Sequence, residues 1–127
     1  MKKILFFWET ITWTVFMLVL FLSPSRSIPH VHIPYQDKFA HIGLFMVFSM
    51  LYLRGQLKIS SSKTFAPGHI IVTFIIVMLF AIFLEVLQEV MHAGRDGDFT
   101  DILHDFAGFI CGSLLMVLIY GIRPRAL

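Results

Sequence analysis

Four long apolar runs, separated by short polar stretches, organise the chain. The first, "ILFFWETITWTVFMLVLFL", fills positions 4–22. As a helix it is long enough to cross about 30 Å of hydrocarbon. The second, "FAHIGLFMVFSMLYL", covers only 39–53, so neighbouring residues must complete the crossing, giving a helix over about 38–54. The third, "HIIVTFIIVMLFAIFLEVLQEVMH" at 69–92, is the clearest span. The fourth, "ILHDFAGFICGSLLMVLIYGI" at 102–122, starts its helix near 101. Pro24, Pro29, Pro34, Pro67 and Pro124 all fall outside these segments, as helix punctuation does. Lipid offers backbone groups no partners, so each run is read as a helix that satisfies its own. The expected fold is an all-α integral membrane four-helix bundle, one domain over residues 1–127.

Composition agrees with this reading. Hydrophobic residues make up 57% of the chain and the mean hydropathy is +0.82, more apolar surface than a soluble domain of 127 residues can bury. Cys111 is the single cysteine and lies in an apolar run, where it acts as a small packing residue. No basic stripe interleaved with aromatics suggests a nucleic-acid partner. A cleavable signal is the alternative for the first segment, with Lys2 and Lys3 ahead of it and Ser25-Arg26-Ser27 behind. Its 19 apolar-run residues and Glu9 exceed the usual signal core of about 7–15.

Charge is distributed by side. Lys2, Lys3, Arg54, Lys58, Lys63, Arg123 and Arg125 flank one side; Arg26, Lys38 and Arg95 flank the other. This bias puts both termini in the cytoplasm and the protein in the inner membrane. The acids run the opposite way: Asp37, Glu85, Glu89, Asp96, Asp98, Asp101 and Asp105 are outer, and only Glu9 is inner. His30, His32, His41, His92 and His104 are outer too.

The stretch "GRDGDFTDILHDFAG" at 94–108 carries the densest charge, and helical spacing brings other polar residues towards it. Glu85, Gln88, Glu89 and His92 share one face at i, i+3, i+4 and i+7. Asp101, His104, Asp105, Gly108 and Gly112 do the same on the fourth helix, and Asp37, Lys38 and His41 fit one turn of the second. An ionisable group inside a membrane costs about 2.5–3.5 kcal/mol at the bilayer centre on insertion scales, so such a cluster marks a functional site. Each member also has a plainer use. Glu85 and Gln88 can be polar glue between helices, Asp96 and Asp98 a solvated turn, and Thr100 or Asp101 a helix cap. Gly108 and Gly112 form GxxxG, which serves close packing within the chain or a homodimer. A metal alternative would use His41, Glu85, His104 and Asp105; otherwise no cofactor is expected.

"DKFAH" opening one span, Glu85-Val86-Leu87-Gln88 as "ExxQ" closing another, then "GR…D…D…G…G" resembles the VanZ-like family, in order from Asp37 to Gly112. The resemblance implies a small four-helix membrane domain, linked in the family's namesake to low-level resistance to the glycopeptide teicoplanin. It maps the family's motif onto Asp37, Lys38, His41, Glu85, Gln88, Arg95, Asp101, Gly108 and Gly112. Where the family usually has asparagine this chain has Asp105, next to His104.

The expected ligand is a membrane lipid or lipid-linked cell-wall precursor. Asp37, Lys38, His41, Glu85, Gln88, Arg95, Asp101 and Asp105 form the binding set, with Arg95 and Lys38 gripping an anionic group. One alternative is a membrane-embedded hydrolase or transferase with Glu85 as base and His41 as proton partner. Another is a structural or accessory subunit whose charges only hold helices together. The inner halves of the second to fourth helices are almost wholly apolar, which argues against transport by the monomer.

Overall fold

The computed structural model describes residues 2–23, 36–60, 63–91 and 99–122. A 3₁₀ turn, Lys2–Phe7, leads into α1 (Trp8–Leu22), followed by α2 (Gln36–Ser60), α3 (Pro67–Met91) and α4 (Phe99–Tyr120). Each is long and apolar enough to cross a membrane, the first by joining the 3₁₀ turn to α1. The chain is an all-α, four-helix membrane-spanning bundle.

Three helices run beyond the expected bounds. The apolar run of the second ends at Leu53, yet α2 continues to Ser60. Leu53 and Leu57, one turn apart, are both buried with Phe65 and Met116, so the packed stripe continues beneath a polar-looking sequence. Arg54 and Lys58 on the same stretch pair with Glu9 at 3.1 and 2.8 Å. Pro67, expected outside the third helix, is its first residue, a position where its missing N–H removes no helical bond. The side chain of His69 accepts the Ala66 N–H at 3.0 Å while the His69 N–H donates to the Ala66 carbonyl at 2.9 Å, a reciprocal cap. Thr100, expected as a cap of the fourth helix, lies inside its first turn, because α4 starts at Phe99.

α2 and α4 form the most extensive helix pair. The reason is Gly108 and Gly112. A Cβ at Gly108 would collide with the Ile42 carbonyl and sit 2.9 Å from the Met46 N; one at Gly112 would sit 2.5 Å from the Met46 O. In lipid, where apolar burial drives helices together little, such backbone approach supplies the packing. The GxxxG face is thus filled by α2 and not left for a second copy. Met17 and Phe21 of α1, Phe45 and Phe48 of α2, Val77, Ala81 and Leu84 of α3 and Phe109 of α4 fill the remaining core. Outward positions such as Val19, Leu79, Leu114 and Leu118 are exposed and equally apolar, as a lipid-facing surface requires.

Candidate functional site

Near one end of the bundle the first turns of α2 and α4 meet the last turns of α1 and α3. His41, one turn after Lys38, is 1% exposed. Its Nδ1 lies 2.6 Å from Asp105 Oδ1, and its Nε2 lies 3.5 Å from Asp101 Oδ2. A carboxylate only accepts, so Nδ1 carries the proton given to Asp105 when Asp105 is ionised. Phe21 of α1 covers the imidazole, its ring centroid 4.6 Å away. The Lys38 ammonium donates to Asp101 and, at 3.1 Å, to the hydroxyl of Thr100. Each of the polar contacts joins α2 to α4, so the glycine packing further along fixes the distances here.

α3 supplies Glu85, itself buried. His41, Glu85 and Asp105 each offer one donor atom, and the three atoms lie within 4.8 Å of one another. Asp105 is fully buried, and its Oδ2 has no hydrogen-bond partner among the described residues. Such an oxygen costs free energy unless something else satisfies it. Three buried carboxylates, Glu85, Asp101 and Asp105, face the cations of Lys38 and, when protonated, His41. One imidazole nitrogen and two carboxylate oxygens match the donors of catalytic zinc and related divalent sites, which keep further positions open. The cluster is therefore capable of coordinating a divalent metal.

The expected residues divide into three groups. Lys38, His41, Glu85, Asp101 and Asp105 converge. Gln88 is buried beside them, but its amide donates to the Phe21 carbonyl at 2.9 Å, tying α3 to the last turn of α1. His104, included in the expected metal set, turns away: its Nδ1–H donates to the Thr100 carbonyl of its own helix at 2.7 Å. Glu89 shares the α3 face by spacing but is exposed. Arg95 and His92, with the side chain of Asp37, lie outside the described residues. Phe21 and Thr100 complete the site without having been anticipated as part of it. Phe21 is one apolar residue in an apolar run, so no local signal distinguishes it. Thr100 was legible only as a cap.

A comparison with known families settles what kind of chain this is: the model of the VanZ/LLP1 family matches residues 2–120. The chain belongs to the VanZ/LLP1 family. No curated protein and no solved structure matches it. The family match covers all the helices that carry this polar cluster, from α2 to α4, and also α1, whose Phe21 covers His41.

Proposed function

We propose that this VanZ/LLP1 chain is a membrane-embedded hydrolase or transferase acting on a lipid-linked envelope component, with a divalent cation at His41, Glu85 and Asp105. The observation that carries this reading is the approach of these three buried donors to within 4.8 Å, from three different helices. A cation held there would polarise a phosphoryl or carbonyl oxygen and make a bound water nucleophilic near neutral pH. Asp105 fixes the orientation and tautomer of His41, as carboxylates behind catalytic or ligating imidazoles do. Glu85 would hold the cation through one carboxylate oxygen and take the proton of the attacking group on the other. Lys38, with 23% of its side chain exposed, stands at the rim, where it attracts an anionic group. Asp101 holds the Lys38 ammonium in place. The distribution of Lys and Arg supports a topology with both termini in the cytoplasm, which would set this site towards the outer leaflet. A changed wall precursor there would alter what a glycopeptide such as teicoplanin meets.

The test is metal content and equilibrium binding of Zn²⁺ and Mn²⁺ by the full chain in mild detergent, together with turnover of extracted lipid-linked precursors. Wild type is expected to hold about one equivalent of metal at the three-donor site. Glu85→Gln, which preserves size, is expected to lose metal and turnover while keeping its helical content. Metal-free wild type and full turnover by Glu85→Gln would sink the proposal.

A second reading, a binder that holds the same class of lipid without changing it, is favoured by one contact. The Lys38–Asp101 pair presents a partly exposed cation beside buried acids, which suits recognition without chemistry. Lipid retained equally by wild type and Glu85→Gln, lost in Lys38→Ala, and never converted would support it.

A further inference from the structure

A second polar concentration lies at the other end of α2, 13 residues beyond His41 by Arg54, or roughly 20 Å along the helix. We propose that Arg54, Lys58 and Lys63 form a binding pocket for the phosphate headgroup of an anionic lipid. A pocket of about 450 Å³ is lined by these three cations with Leu57 and Tyr120. This combination of apolar wall and convergent donors suits an amphiphile.

The pocket rests on a fixed frame. Phe65 is fully buried, its N–H donates to the Gly121 carbonyl at 2.9 Å, and its ring meets Tyr120 edge-on at 5.9 Å. Gly121, with φ at +82°, closes α4 in the left-handed conformation that glycine adopts freely. These contacts hold the segment carrying Lys63 against the end of α4. Leu57 is buried against Phe65 and Met116, which fixes the α2 wall.

Charge favours an anion. Glu9 offsets one of the three cations, by pairing with Lys58 and Arg54. The C-termini of α2 and α4 together contribute roughly one further negative unit, since each carries about half a charge. A positive surplus remains. The Arg54 side chain is 51% exposed and uses one terminal nitrogen on Glu9, leaving further guanidinium donors for a phosphate oxygen. Leu57 and Tyr120 line the pocket beside the cations and offer an apolar wall for the start of an acyl chain, which a soluble phosphate compound does not need. Basic pockets at the ends of transmembrane helices recognise anionic lipids by this chemistry.

The experiment is native mass spectrometry of the full chain in neutral detergent, titrated with phosphatidylglycerol, phosphatidylcholine of the same chain length, or inorganic phosphate. Wild type is expected to retain phosphatidylglycerol preferentially. Lys63→Gln and Arg54→Gln are each expected to weaken it roughly fivefold, the scale of one cation near an anionic headgroup. Lys3→Gln removes the same charge at the same end but outside the pocket, and is expected to bind like wild type. Lys63 and Lys3 are both exposed, so neither change disturbs the core. Equal losses in Lys3→Gln and Lys63→Gln would mean diffuse attraction and overturn the proposal. Equal retention of the two lipids would overturn it too, and phosphate binding without a lipid preference would assign the pocket to a soluble phosphate compound. None of these outcomes depends on metal at His41.

Discussion

Asp105 concentrates the chemistry of the His41 cluster in one side chain. One oxygen lies 2.6 Å from His41 Nδ1, and the other has no hydrogen-bond partner among the described residues. Asp105→Asn keeps the shape and an acceptor for the imidazole but removes the charge. The expected result is metal affinity lower by roughly 10–100-fold or more, the scale of losing a carboxylate from a metal-bound histidine, with little change in folding. Titration of Mn²⁺ or Zn²⁺ into both proteins decides it; equal affinities would leave Asp105 only a tie between helices. Gln88 makes the opposite prediction. Its hydrogen bond ends on the Phe21 carbonyl, so Gln88→Leu is expected to cost about 1 kcal/mol of stability, as interhelical bonds in membranes do. Reversible unfolding in mixed micelles measures this, and a loss of metal binding without destabilisation would place Gln88 in the site instead.

At the scale of elements, the α2–α4 contact governs whether the site exists. Gly108→Ala would drive a methyl into the Ile42 carbonyl, and Gly112→Ala into that of Met46. Backbone atoms cannot swing aside, so each is expected to destabilise by about 1–3 kcal/mol and to loosen metal binding by parting His41 from Asp105. Gly43→Ala on α2 meets nothing within 4 Å and serves as the tolerated control. If all three unfold at the same denaturant concentration, close helix approach is not what holds α2 to α4. The glycines and the acids were legible because both recur at helical spacing on an otherwise apolar helix. The partners of α1 were not. In water the buried stripe of a helix differs in polarity from its exposed face, whereas here Met17, fully buried, and Val19, 64% exposed, are both apolar. The inward face of α1 therefore left no pattern, and neither the Phe21–His41 contact nor the Trp13 bond to the Leu44 carbonyl could be read in advance. The end of α2 was hidden for the converse reason. Arg54, Gln56 and Lys58 look like a loop until Glu9 and Thr73 are found opposite them.

Across the whole molecule, four spans put residues 2 and 120 on the same side of the bilayer and the His41 cluster near the other. We propose from charge which side is cytoplasmic: the end with Lys3, Arg54, Lys58 and Lys63 carries the excess of Lys and Arg. That orientation has a direct consequence for labelling. In a Cys111→Ser background, which removes the single native thiol, Gly97→Cys is expected to react with a membrane-impermeant maleimide in intact cells. Lys63→Cys is expected to react only after the membrane is opened. The reverse pattern would turn the molecule over, placing the acidic cluster in the cytoplasmic leaflet and the basic pocket outside. An outward acidic cluster meets wall precursors that have already been translocated, and an inward one meets them during their synthesis. The labelling pattern thus determines which pool of lipid-linked substrate should be offered to the purified protein first.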